Sequence, residues 1–304
     1  MVNATIKKLS DDLIVLKSRI MTENTATKQT EVSLQELDIY KCYESAKYLS
    51  VKHSSYFQVY EELFSKYRGK KITFVEIGVL NGGSLFMWRN YFGSESRIIG
   101  VEFNPAAKKW EEDGFEIYIG SQSDPQFWDR FFSSVGEVDV ILDDGGHTNE
   151  QQIITTNSCI PHIKDGGVLV IEDVHTSYFR SFGNPSKYSF INYSKTLIDS
   201  VNSRFPSVKA SKNVLNNAVF SLSFYESIVC FNIDRAKCFT PVLLSNGGIT
   251  SDAKNFWDQG NISFKVNSFI SRQFKMVGIK FSALHLLIYF EIRWVNRTLK
   301  KFFT

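Results

Sequence analysis

Residues 138–147 read V-D-V-I-L-D-D-G-G-H. The apolar residues around Asp139 make a buried strand, after which two carboxylates, two glycines and a histidine arrive with no spacer. In an open parallel sheet, ligands bind beyond the carboxyl ends of the strands, so Asp143, Asp144 and His147 belong at the rim of a crevice. A second apolar run, residues 167–171, ends in Glu172, Asp173 and His175. The expectation is that these two tips face one pocket.

Working upstream, residues 72–79 read I-T-F-V-E-I-G-V, an apolar strand carrying Glu76 and ending at Gly78. L-N-G-G-S-L and a helical run over 85–91 follow, and a glycine-rich turn between strand and helix lets a ligand approach the backbone closely. A dinucleotide fingerprint sets a pyrophosphate on the helix N-terminus. A carboxylate at this tip would repel phosphate and favour a cationic or hydroxylated group, which argues against a nicotinamide cofactor. The next strand, 97–101, ends in Glu102, about 20 residues past the glycines, where an acid commonly accepts hydrogen bonds from a ribose. A third, 115–119, leads to G-S-Q-S-D, whose Ser121 and Asp124 are candidates for the far end of a nucleoside. Asp124 before Pro125 reads equally as a helix N-cap. This order of loops is that of a Rossmann-like, doubly wound α/β sheet.

Composition agrees with such a core. The chain has 304 residues, 43 % hydrophobic and 22 % charged, enough for one large domain with appendages or two small ones. Cys42, Cys159, Cys230 and Cys238 form no C-x-x-C pair, so neither a zinc site nor a disulfide framework is expected, and a reducing cytosol is. Met1 opens onto a polar segment without an apolar leader, and no run approaches the length of a membrane span, so secretion is not expected.

Before the sheet, Ile6, Leu9, Leu13, Leu16 and Ile20 are spaced 3-4-3-4 and share a helical seam. That seam fits a surface helix or a short coiled coil that would make a homo-oligomer. Residues 22–30 read as a polar linker, and residues 34–67 as a tyrosine-rich helical stretch. There His53, Tyr56 and Tyr60 fall on one helix face, which is either core packing or a helix covering a ligand. Past the second acidic tip, residues 175–188 are polar and aromatic; Tyr178, Phe179 and Tyr188 would form an acceptor wall if they stack on a sugar face. A helix over 191–201 follows. Strands at 220–224 and 227–232, joined at Tyr225-Glu226, would add an antiparallel hairpin to the parallel sheet. From Lys265 onward eight Lys or Arg stand against the single acid Glu291, interleaved with Leu287, Phe290 and Trp294. This amphipathic stretch fits docking on protein or peripheral contact with an anionic membrane at its inner, cytoplasmic face. No nucleic-acid motif accompanies the charge.

The combination V-E-I-G-V-L-N-G-G-S-L-F-M-W, G-V-E-F-N-P, D-V-I-L-D-D-G-G-H and V-I-E-D-V-H-T-S-Y resembles the metal-dependent, S-adenosylmethionine-using O-methyltransferases typified by macrocin and mycinamicin sugar methyltransferases. Sequences called cephalosporin hydroxylases share it. The resemblance covers roughly residues 53–235. It implies that Glu76, Gly78 and Gly82 match the cofactor loop and Glu102 the ribose acid. Asp144, Glu172 and Asp173 match the carboxylates that hold magnesium, and His147 matches the general base. Asp143 would be the strand-end acid beside the cofactor, or an aspartate that tightens the turn. Ser84, Ser121, Asp124, His53 and Tyr56 complete the candidate cofactor contacts. The implied activity is methylation of a hydroxyl on a sugar, glycan or glycosylated small molecule. In this reading the ion is Lewis acid and template, and the histidine supplies base catalysis.

Two other readings stay open. His147 and His175 with one carboxylate could form the facial triad of a non-haem iron hydroxylase, and an inherited fold could serve as a non-catalytic scaffold in glycan assembly. The expected organisation is an N-terminal helix over 1–30, a helical cap over 31–70, the methyltransferase domain over 71–235 and a basic extension over 236–304.

Overall fold

The computed structural model describes residues 34–182, 186–209, 214–249, 262–276 and 284–302. The Ile6–Ile20 seam and the polar linker lie outside the described residues. The chain divides into two compact units between Pro241 and Val242.

The first unit is built on a seven-stranded sheet. Its strands are β1 (Thr73–Ile77), β2 (Arg97–Glu102), β3 (Glu116–Ile119), β4 (Val138–Asp143), β5 (Ile163–Ile171), β6 (Val219–Tyr225) and β7 (Ile228–Ile233). Their order is β3-β2-β1-β4-β5-β7-β6. The first five are parallel, and β7 and β6 add the antiparallel hairpin. The hairpin turn is Glu226-Ser227, one residue later than the sequence suggested, because Ser227 adopts the left-handed region at φ 63° and lets Tyr225 pair with Ile228. Strand order reverses between β1 and β4, the switch point where a doubly wound sheet opens its crevice.

Both sheet faces are buried, which is why these strands read as unbroken apolar runs. Successive residues serve opposite layers. Phe74, Val140, Leu142 and Val170 pack in one cluster with Tyr60, Phe64, Trp88 and Phe92; Val75, Ile141 and Leu169 pack in the other with Trp128, Phe131, Phe190 and Phe231. The helical stretch 34–67 is not continuous. It forms α1 (Asp38–Glu44) and α2 (Tyr56–Phe64), separated by an irregular segment that carries Lys52. α2 belongs to the first cluster rather than standing apart from it.

The crossover helices begin where local chemistry dictates. α3 (Gly83–Phe92) follows the glycine turn. α4 (Pro125–Val135) is capped by Asp124, whose side chain accepts from the Gln126 amide, with proline at its first position. α5 (Asn149–Cys159) starts with a capping box of Thr148 and Gln151, and α6 (Phe190–Asn202) with Ser189. Backbone hydrogen bonds stitch the tips one residue past the ladders: Gly78 N to Val101 O at 2.8 Å, Asp144 N to Ile77 O at 2.9 Å, and Glu172 N to Asp143 O at 2.9 Å. The ends of β1, β4 and β5 are thus held in fixed register.

In the second unit the described residues form α7 (Ile262–Met276) and α8 (Leu284–Leu299). Phe269, Phe290 and Trp294 are exposed among the basic residues. No helix of the described residues is long and apolar enough to cross a membrane.

Candidate functional site

At the β1 tip the backbone turns sharply. Gly78 has φ +91°, and a Cβ built on it would lie 2.2 Å from the Asp144 carbonyl oxygen. Gly82 has φ +77°, and its Cβ would strike the Trp110 ring at 2.3 Å. Only glycine fits either place. The Gly78 contact joins the glycine turn directly to the acidic tip of β4.

Glu76 does not open onto this turn as the sequence suggested. Its carboxylate is fully buried and accepts from Ser84 Oγ at 2.7 Å and Trp88 Nε1 at 3.0 Å. Glu76 and Ser84 therefore bind each other under the loop, fixing α3 to β1. Burial pushes the Glu76 carboxyl up from 4.5 to about 7, against the pull of Lys52, Ser84 and Trp88. Glu102 does face the turn. One of its oxygens accepts from the Val79 and Leu80 amides and the other from those of Phe103 and Asn104, all at 2.9–3.0 Å. These four bonds use the roughly four lone-pair sites of the carboxylate, so a further donor would share a site with one of the amides. Leu80 and Phe103 beside it are strongly exposed apolar side chains, a feature sequence reasoning passed over.

In the third loop the cap reading of Asp124 holds and the cofactor-contact reading of Asp124 does not. Asp124 is occupied as the cap of α4, and Ser121 Oγ accepts from the Ser123 amide at 3.2 Å. The loop's link to the pocket is instead Gln122, which the sequence reading did not select. Its amide nitrogen donates to both Asp143 oxygens at 3.0 Å and its oxygen accepts from the Gly146 amide at 2.8 Å. Asp143 also accepts from the Gly145 amide at 3.1 Å, so it does tighten the D-D-G-G turn. Burial pushes its carboxyl up, opposed by Gln122 and Gly145.

The tips of β4 and β5 converge. His147 Nε2 lies 3.4 Å from Asp173 Oδ2 and 3.9 Å from Asp144 Oδ1. His147 and Asp173 both hold left-handed backbones, φ 59° and 55°, a strained arrangement of the kind that collects at functional sites. His147 Nδ1 is buried without a partner among the described residues. Of the expected stripe, His53 lies before α2 rather than on its face, because the helix starts at Tyr56. The Tyr56 and Tyr60 rings pack in the core, while the Tyr56 hydroxyl donates to Asp173 and the Tyr60 hydroxyl to Glu172. His53 lies 3.9 Å from Asp173 and is half exposed. Although burial pushes Asp173 up, His147, Tyr56, His175 and His53 together hold it below the usual carboxylate range.

Lys52 is the main residue sequence reasoning missed. Its buried ammonium lies 2.7 Å from Asp144 Oδ2 and 3.0 Å from Glu172 Oε2. Burial works against its charge, but Asp144, Glu172 and Glu76 hold it protonated to well above the usual lysine range. Glu172 is completely buried, and both its oxygens are engaged, one by Tyr60 and one by Lys52.

Among the described residues two groups could share a cation: Asp144–His147–Asp173 and His53–Asp173–His175. The first fits magnesium, which takes oxygen ligands, commonly one or two carboxylates, and keeps positions for water or substrate. Two carboxylates meet there at a partly exposed spot beside an unpartnered imidazole nitrogen. Glu172 belongs to neither group. His147 and His175 fall into different groups, so they do not form the facial triad that the alternative iron-hydroxylase reading required.

A family profile described as a methyltransferase domain matches residues 75–174. The chain is 30 % identical over 172 residues to demethylmacrocin O-methyltransferase of Streptomyces fradiae, covering 52 % of this chain and 43 % of that protein. It is 32 % identical over 154 residues to mycinamicin VI 2''-O-methyltransferase of Micromonospora griseorubida, covering 47 % and 38 %. The chain thus spans less than half the length of these curated relatives. It also superposes on the MycE methyltransferase of the mycinamycin pathway in complex with Mg and SAH, with TM-score 0.58, 27 % identity, and coverage of 66 % of this chain and 54 % of that one.

Proposed function

From the methyltransferase domain that residues 75–174 carry, we propose that this chain is an S-adenosylmethionine- and magnesium-dependent O-methyltransferase of a hydroxyl on a sugar, glycan or glycosylated small molecule. The observation that carries the reading is the close approach of the Gly78 turn to Asp144, which supports reading the glycine crevice and the acidic cluster as one site. The relatives support the substrate class: one is named for the 2''-hydroxyl of mycinamicin VI, and a MycE crystal contains Mg, SAH and mycinamycin VI.

Glu102 would accept the ribose hydroxyls of the donor while its four amide partners hold the loop in shape. Leu80 and Phe103 offer apolar cover for a base. Asp144 and Asp173 would hold magnesium, and His147, which lies against Asp173, would take the proton of the acceptor hydroxyl. A bound ion would lower the pKa of that hydroxyl and align a vicinal pair. Tyr56 fixes Asp173, and Glu76 with Ser84 and Trp88 fixes the glycine turn from beneath. Tyr178, Phe179 and Tyr188, all exposed, support an acceptor wall.

Incubation with methyl-labelled S-adenosylmethionine and a panel of glycosides, with and without a chelator, tests this. Label should pass to a glycoside only when divalent ion is present; no transfer to any glycosylated or diol acceptor refutes it. One observation favours a second reading. His53, Asp173 and His175 form a two-histidine, one-carboxylate group, the ligand set of non-haem iron oxygenases. Turnover that requires iron and dioxygen, and stops under argon, would select it.

The proposal extends to placement. The exposed aromatic residues and basic charge of α7 and α8 suit the inner face of an anionic membrane in the cytoplasm, which vesicle co-sedimentation tests. Homo-oligomerisation, tested by light scattering, is the remaining part.

A further inference from the structure

Gln122 ties the loop after β3 to the turn that carries His147. The loop itself is anchored by its backbone: the Gly120 amide donates to the Glu102 carbonyl at 3.0 Å, and Trp128 Nε1 donates to the Gln122 carbonyl at 3.0 Å. The side chain is buried and crosses to the tip of β4. Its amide nitrogen has two hydrogens. One is shared between the two Asp143 oxygens at 3.0 Å each, and the other reaches Thr155 Oγ1 at 3.2 Å. Its oxygen accepts from the Gly146 amide at 2.8 Å. The opposite flip would set oxygen against carboxylate and nitrogen against N–H, so the network assigns one orientation. Gly145 is shaped to the same group. Its backbone is outside the left-handed region, yet a Cβ built on it would lie 2.0 Å from Gln122 Oε1.

His147 follows directly. A non-glycine residue at φ 59° persists only where its surroundings over-determine the conformation. Gln122 fixes the chain before it, at the Gly146 amide. Thr176 Oγ1 fixes the chain after it, sharing its hydrogen between the His147 and Asp173 carbonyls at 2.9 and 2.8 Å. With both in place, His147 Nε2 sits 3.4 Å from Asp173 Oδ2.

We propose that Gln122 is a positioning residue: it braces the Gly145-Gly146 turn so that His147 keeps its left-handed backbone and its imidazole stays against Asp173. Gln122 acts through His147 and not on the acceptor. Because the braced loop is also tied to the Glu102 tip of β2, the two sides of the crevice keep a fixed separation. The catalytic consequence rests on the reading of His147 as the base; the placement of the imidazole does not.

The test uses the full chain with Gln122→Met, which keeps the length of the side chain and removes its hydrogen bonds. A crystal of the variant should show His147 outside the left-handed region and its imidazole drawn away from Asp173. With a glycoside that the wild-type protein methylates, kcat should fall by roughly ten- to a hundredfold, the loss expected when a reacting group is misplaced. The KM for S-adenosylmethionine should change little, because the backbone ties of the loop at Glu102 and Trp128 survive. Asp139→Asn serves as the control for lost stability alone. It weakens the bonds from the Thr73 amide and Lys164 at the start of β4 and should leave kcat at the wild-type value. If Gln122→Met does not fold, Gly145→Ala reaches the same contact from the turn, displaces the carboxamide and should give the same loss of kcat. A Gln122→Met crystal in which His147 keeps φ near 59° and its 3.4 Å contact overturns the proposal. Wild-type kcat in either variant overturns it equally. If the wild-type protein methylates no acceptor, the methyltransferase reading falls, and the position of His147 in the variant crystal decides the brace.

Discussion

Replacing Glu76 by Gln should change how the stability of the protein depends on pH. Glu76 is fully buried, accepting from Ser84 and Trp88, and burial raises its carboxyl from 4.5 to about 7. The folded protein therefore keeps this proton to higher pH than the unfolded chain does. Stability contributed by the protonated acid is fully present below about 4.5 and is withdrawn as pH rises towards 7, beyond which the loss is complete. A shift of about 2.5 units corresponds to about 3 kcal/mol between the two plateaus, at 1.36 kcal/mol per unit. Glutamine keeps an acceptor for Trp88 or Ser84 and has no proton to lose. The variant should thus lack this pH dependence, and its stability relative to wild type should improve by about 2 kcal/mol on going from pH 5 to pH 7.5, most of the span between the plateaus. Urea denaturation of both proteins at the two pH values measures the difference. A gap between them that stays constant with pH would refute the reasoning, since Glu76 would then titrate alike in both states.

Gly78→Val should abolish donor binding and cost at least ~1–3 kcal/mol from backbone strain alone, because a Cβ at φ +91° meets the Asp144 carbonyl at 2.2 Å; calorimetry with S-adenosylmethionine and a melting curve check both. Glu102→Gln replaces an acceptor shared by four amides with a group that turns a donor towards two of them. Donor affinity should fall roughly tenfold or more, consistent with ~1.5–3 kcal/mol for hydrogen bonds to a charged group, and normal affinity would remove the ribose assignment. Asp144→Ala should end metal-dependent turnover while donor binding persists; turnover at the wild-type rate would place the ion elsewhere.

The sheet was readable because strands buried on both faces are apolar runs, and runs ending in Glu102, Asp143-Asp144 and Glu172-Asp173 announce where the crevice lies. Asp124 before Pro125 carried its own cap signature, and the structure uses it. What could not be read were groups joined only by tertiary folding. Lys52 lies in an irregular segment 92 residues from Asp144 and 120 from Glu172, and no spacing rule connects a loop lysine to strand tips so distant. Gln122 reaches Asp143 across 21 residues by the same kind of pairing. Glu76 misled for a different reason: in letters, an acid at a strand tip looks the same whether it faces the crevice or, as here, the helix that follows. The tyrosines of α2 escaped an either-or reading because a phenol can pack its ring in the core and present its hydroxyl to the site.

The most direct test of the central claim is a crystal grown with manganese in place of magnesium and with the demethylated donor, located by anomalous scattering. The ion is expected between Asp144 and Asp173, with the donor's sulfur facing it from the Gly78 turn. An ion bound away from both aspartates, or a donor lying outside the crevice between Glu102 and Gly78, would contradict the single-site account.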